Sequence, residues 1–245
     1  MGDELFARRG EDAANLDAAI TSWQAALVDF PDSALLLQRL SRAWMLRGLR
    51  EPERRPPGFV VAREMGIRCL LTEPQVASLV STFGRLDSRS IDESNRAICL
   101  TWASLSWSRW LLEHDVAGAA IDLDQVTAMA RRAILLRPDA HQGAPHHALG
   151  LALSLPPEPL GPDLEGAERE LLLAQTAAPD RWQVTVDLAV LVYGPQPSRH
   201  GEFRSLLEDV VSREPVSGPE GYGNLAAQLA AAEALEEGPR PRWAL

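Results

Sequence analysis

Apolar and small residues recur along this chain at one fixed spacing, i, i+4 and i+7, each time with a proline five residues further on. The five occurrences are Ala19, Trp23, Ala26 and Pro31; Ala62, Gly66, Cys69 and Pro74; Val126, Ala130, Ala133 and Pro138; Ala167, Leu171, Ala174 and Pro179; and Phe203, Leu207, Val210 and Pro215. Offsets of four and seven place three residues on one helical face. Each set therefore predicts a helix whose small-residue face admits a close neighbour. The proline ends the segment, because it lacks the N–H that would extend the ladder and pushes its predecessor out of the helical region.

A second, less regular helix pattern precedes several of the sets. Leu37, Leu40, Ser41 and Trp44 precede the second set, and His146, Leu149, Gly150 and Leu153 the fourth. Phe6 and Ala7, before the first set, predict a helix cut to a turn or two. Paired helices of this kind resemble the tetratricopeptide repeat, a helical hairpin of ~34 residues. The fold expected is all-α: an α-α superhelix of five tetratricopeptide-like hairpins with long insertions and a C-terminal capping helix. The sets start 43, 64, 41 and 36 residues apart. The excess is assigned to loops at 48–58 and 154–163 and to extra helices over 75–86 and 92–114, as a solenoid tolerates insertions along one edge. Beyond Pro215, Leu225, Leu229 and Ala232 form the apolar stripe of a capping helix over 222–237, with Glu233, Glu236 and Glu237 on its polar face. One domain, 1–238, is predicted, with a flexible tail over 239–245.

Composition narrows the function. Net charge is −10, which disfavours binding to nucleic acid. All 24 basic residues are arginine, a bias that reads as bacterial codon usage in a GC-rich genome. No run approaches the ~20 apolar residues of a membrane span. The first residues lack a signal-peptide pattern, so the sequence as it stands is expected to be cytoplasmic, and periplasmic if an export signal has been removed. Cys69 and Cys99 lie in apolar helical patterns and read as buried free thiols, with a bridge between them as the second reading.

Catalytic signatures are absent from the sequence: no phosphate-binding glycine loop, nucleophile elbow or zinc-protease helix occurs. His141, His146 and His147 are the nearest thing to a metal cluster, but spacings of five and six put them on different helical faces. No enzyme activity, metal or cofactor is expected. Trp102, Trp107 and Trp110 share one helical run, with Trp107 and Trp110 on one face and Trp102 on another flank. They read either as core or as the anchors of a groove or oligomer contact. The candidate partner- or ligand-binding residues are therefore Trp102, Trp107, Trp110, His146 and His147.

The order RAICLTWASLSWSRWLLEHD, VTAMARRAILLRPDA, GAPHHALGLALSLPPEPLGPDLEGAERELLLAQ and FRSLLEDVV resembles the T component of TRAP solute transporters, a TatT-like tetratricopeptide family. In that family a first-helix motif ends in glycine, a loop with proline, glycine and aspartate follows, and an alanine leads the second helix. Here these are His146 to Gly150, Pro156 to Asp163, and Ala167. The likeness covers residues 15–215 and is most specific over 126–180, with Gly161-Pro162-Asp163 where the family usually has Gly-Gly-Asp. It implies a periplasmic homo-oligomer that binds a protein partner, the transporter's substrate-binding protein, and has a path for a hydrophobic small ligand. It assigns no catalytic residue. The function expected is a non-catalytic scaffold or adaptor of this kind. The alternatives are a cytoplasmic tetratricopeptide adaptor unrelated to transport and, third, a metal-dependent enzyme using His141, His146 and His147.

Overall fold

Capping side chains set two of the helix starts in a computed structural model of the chain, which describes residues 1–51, 55–83, 96–112, 120–155, 161–214 and 220–239. Ser33 Oγ accepts from the Leu36 amide at 3.4 Å and opens the helix that begins at Ala34, and Asp163 Oδ1 accepts from the Gly166 amide at 2.8 Å and opens the one that begins at Leu164. Among the described residues every regular element is helical: α1 (Gly2–Ala7), α2 (Ala14–Asp29), α3 (Ala34–Arg50), α4 (Arg55–Leu71), α5 (Pro74–Phe83), α6 (Ala97–Leu112), α7 (Ala120–Leu136), α8 (Ala144–Ser154), α9 (Leu164–Ala177), α10 (Trp182–Asp187), α11 (His200–Ser212) and α12 (Gly221–Glu237). α10 runs directly into a π-helical turn, Leu188–Tyr193, and a 3-10 turn, Pro197–Arg199, leads into α11. None of these helices is long and apolar enough to cross a membrane.

Pro31, Pro138 and Pro179 each stand two residues beyond the end of α2, α7 and α9, as predicted. Pro74 instead opens α5, where its missing N–H is one of the first-turn groups that no helix satisfies. The same reason shortens the loop predicted at 48–58: α3 continues to Arg50, and α4 takes Pro56 and Pro57 into its first turn. Pro215 and residues 240–245 of the predicted tail lie outside the described residues.

All residues at the i, i+4 and i+7 positions of the five sets are buried except Ala26, which is half-buried. Their helices pair with the preceding one: α1 with α2, α3 with α4, α6 with α7, α8 with α9, and α10 with α11. Successive pairs then pack through α2–α3, α4–α6, α7–α8 and α9–α10. Small residues make two of these approaches possible. A Cβ on Gly66 would come within 2.7 Å of the Ala103 Cα on α6, and one on Gly150 within 2.6 Å of Leu171 Cγ on α9. α6 is buried on all sides, packing on α3, α4, α7 and α8, which accounts for an apolar pattern without a polar face.

α12 departs from a simple terminal cap. It packs on α10 and α11 and also returns to α3, joining the last hairpin to the second. Its buried face is Tyr222, Ala226, Ala227 and Ala231, whereas the predicted stripe residue Leu229 is 64% exposed and Leu225 and Ala232 are half-buried. Three alanines let α12 lie close between its neighbours, Tyr222 fills the space at its first turn, and Leu229 is left outside. Cys69 on α4 and Cys99 on α6 are buried as predicted, but they are joined as a disulfide, with Cα atoms 5.7 Å apart. The free-thiol reading is thereby corrected: α4 and α6 are direct neighbours, a contact that the sequence pattern does not reveal.

Candidate functional site

Where α12 meets α3, three guanidiniums converge on one carboxylate. Arg9 follows α1, Arg42 lies within α3, Arg181 immediately precedes α10 and Glu220 immediately precedes α12. Glu220 Oε1 lies 3.3 Å from Arg9 Nη2 and 3.5 Å from Arg42 Nη2, and its charge also acts on Arg181. Arg181 Nη2 donates to the His141 carbonyl at 2.9 Å, and Arg42 Nη1 lies 3.4 Å from His141 Nδ1. Arg9 is only 3% exposed; Nη1 donates to the Phe6 carbonyl at 2.7 Å, while Nε has no partner among the described residues. Aromatic faces line the cluster: Arg9 sits 4.1 Å over Phe6, and Arg42 lies 5.2 Å from Phe6 and 5.4 Å from Trp102.

The turn between α7 and α8 delivers His141. His141 and Gln142 have φ of 45° and 57°, followed by Gly143 at 73°, so two non-glycine residues hold a conformation costing about 1–3 kcal/mol each. That turn sets the His141 ring edge-on to Trp102 at 5.3 Å. Burial, with the charges of Arg42, Arg181 and Arg137, lowers the His141 pKa to about 4. His141 is therefore neutral at pH 7, and its Nδ1 accepts from Arg42. Burial and the neighbouring Arg9 charge lower Arg42 to about 10, with Glu220 opposing. Burial likewise lowers Arg9 and Arg181.

The cluster lines an open cleft with two lobes that share Arg42 and His141, of about 380 Å³ and about 400 Å³. Phe6 borders both lobes, and Trp23 and Trp102 border the second. At the rim Asp3 pairs with Arg39 at 2.6 Å and accepts from Trp23 Nε1 at 3.2 Å. Beneath lies a narrower chamber whose apolar wall includes Met45, Leu46, Leu49 and Leu105 and whose polar wall includes His147, Gln183 and Asn224.

Behind that chamber is a second, fully buried polar group. Asp187 ends α10 and accepts from Arg109 of α6, from His147 Nε2 at 2.6 Å and from Gln183 Nε2 at 3.0 Å. Burial pushes the Asp187 carboxyl up, but the Arg109 charge and the bonds from His147 and Arg109 outweigh it and hold the carboxyl below its usual value. Burial lowers His147 despite Asp187, leaving it a neutral donor. The result is one charge pair closed by two neutral donors, an arrangement that satisfies buried ions.

No family model matches this chain, and no curated protein matches it significantly.

The predicted site residues separate. Trp102 is buried and faces the arginine cleft. Trp107, 9% exposed, belongs to a different part of the core, under Arg63, whose guanidinium lies 5.3 Å from it and 4.6 Å from Trp110. The three histidines go to three different partners: His141 to Arg42, His146 Nδ1 to Glu170 at 2.7 Å, and His147 to Asp187. Among the described residues no three His, Cys, Asp or Glu side chains converge as a metal-binding group. Sequence reasoning missed Arg9, Arg42, Arg109, Arg181, Asp187 and Glu220. The available signal was a lone charge inside an apolar run, as with Asp187 in WQVTVDLAVLVY and Arg109 in SWSRWLL.

Proposed function

We propose that this chain is a non-catalytic scaffold of tetratricopeptide-like hairpins that binds a protein partner, in the manner of the T component of TRAP transporters. The observation that carries the reading is the burial of the i, i+4 and i+7 faces on α2, α4, α7, α9 and α11, each paired with the helix before it. A stack of hairpins with a shared core offers a long surface to a partner, and such binding needs anchors and not catalytic groups. The partner proposed is a transporter's substrate-binding protein, and the assembly a homo-oligomer with a path for an apolar ligand. The Cys69–Cys99 bridge favours an oxidising compartment, and so the periplasm over the cytoplasmic alternative.

The test is affinity capture from separate periplasmic and cytoplasmic extracts of the source cells, with the bound proteins identified by mass spectrometry and the chain's own mass measured in solution. A substrate-binding protein recovered with an oligomeric chain is the expected result. Recovery of cytoplasmic regulators alone, by a strictly monomeric chain, would establish the adaptor reading unrelated to transport.

A further inference from the structure

Charge is distributed unevenly in this molecule. The chain carries net charge −10, yet among the described residues Arg9, Arg42 and Arg181 gather near Glu220, while Asp3, the other carboxylate lining the cleft, is paired with Arg39, which leaves an excess of two positive charges at one place. Bringing like charges together out of water is unfavourable unless something anionic completes the set. The arginines come from the end of α1, from α3 and from the start of α10, so local sequence does not cluster them. Arg9 is also nine-tenths buried, with its Nε lacking a partner among the described residues, and it lines the open cleft.

We propose that this cleft binds a small organic carboxylate, its carboxylate held by the Arg9, Arg42 and Arg181 guanidiniums and its apolar body laid against Phe6, Trp23 and Trp102. This goes beyond the partner-binding reading and stands independently of it. The donors are planar guanidinium forks, which match a two-oxygen acceptor. Two backbone carbonyls, of Phe6 and His141, already occupy edges of Arg9 and Arg181, which leaves less donor capacity for the extra oxygens of a phosphate. Aromatic walls on both lobes favour an anion with an apolar body over a bare ion. Neutral His141 supports the site by accepting from Arg42 without adding a further positive charge.

The experiment is calorimetric titration at low salt with three probes: 3-phenylpropionate, its neutral amide 3-phenylpropionamide, and inorganic phosphate. Wild type, Arg42→Gln and the distant control Arg204→Gln, whose side chain is 63% exposed on α11, are compared. The acid should bind saturably, and the amide and phosphate at least about tenfold more weakly. Arg42→Gln should weaken the acid by about tenfold or more, while Arg204→Gln leaves it unchanged. Arg42→Gln should keep its fold, because one of three mutually repelling charges is removed; its melting temperature reads this directly. The comparison of acid with amide on the wild type decides the question even if that variant is unstable. Equal binding of acid and amide, or no saturable acid binding up to about 10 mM, would overturn the site. Phosphate binding as tight as the acid would overturn the carboxylate assignment.

Discussion

Arg9 and Glu220 stand 211 positions apart in the chain, and Nη2 of the first lies 3.3 Å from Oε1 of the second. That pair closes the fold: α1 is at one end of the helical array and α12 at the other. Glu220 also pairs with Arg42, and its charge acts on Arg181. The same residue thus joins the two ends and moderates repulsion among three arginines.

Replacing Glu220 with Gln should therefore destabilise the protein beyond the loss of one ordinary surface pair. Because Glu220 is itself 26% exposed, the expected loss is about 1–3 kcal/mol, between the surface and buried cases. Urea unfolding at low salt measures it. Added carboxylate should recover part of the loss.

Asp187→Asn removes the only ionised partner of Arg109 within the buried network described above. A buried guanidinium left without its counter-charge costs about 3–5 kcal/mol. The melting temperature of the variant, compared with that of an exposed control such as Asp209→Asn on α11, checks this.

Acid should weaken the fold below neutrality. His141 and His147 both have native values below the ordinary 6.5, so the unfolded chain takes up protons that the native one refuses. Their stabilisation is present above about pH 6.5 and declines as pH falls, for His141 down to about pH 4. Asp187, held low, loses its contribution only at still lower pH. Urea midpoints at neutral and mildly acidic pH should fall accordingly, and His141→Gln should flatten part of the slope.

Gly66→Ala tests the close approach of α4 and α6. The new methyl group would meet the Ala103 backbone at 2.7 Å, which side-chain rotation cannot relieve. Overpacking of this kind costs about 1–3 kcal/mol. A control at Gly201, where a Cβ meets nothing within 4 Å, should be neutral or stabilising.

The Cys69–Cys99 bridge closes a span of 30 residues. Chain entropy assigns such a loop about 3–4 kcal/mol. Protein purified without reductant should titrate for no free thiol under denaturing conditions. Cys69→Ser with Cys99→Ser should lower the urea midpoint by the corresponding amount.

Helix faces were legible in the sequence because periodicity is local. Ala167, Leu171 and Ala174 share a face through helix geometry alone, and a proline after each set marks the stop whatever packs nearby. The burial of fourteen of the fifteen face positions follows from that rule. Where an element touches neighbours on two sides, the rule fails. α12 carries Leu225 and Leu229 in register, yet the face it buries is Tyr222, Ala226, Ala227 and Ala231, because contacts with α3, α10 and α11 and not the apolar stripe decide which side turns inward.

The candidate site lies on the other side of this division. Arg9, Arg42, Arg181 and Glu220 are ordinary polar residues in their own segments, and the return of α12 to α3 is what assembles them. His141, chosen from sequence only as one of three histidines, acquires its neutral state from the burial and the arginine charges around it. Cys69 and Cys99 were recognisable as buried, but their bond depends on which helix α4 meets. Short-range geometry thus determined the helices and their apolar faces. Charge convergence, the disulfide and the packing of α12 were decided by contacts between segments far apart in the chain, which hydrophobic periodicity does not encode.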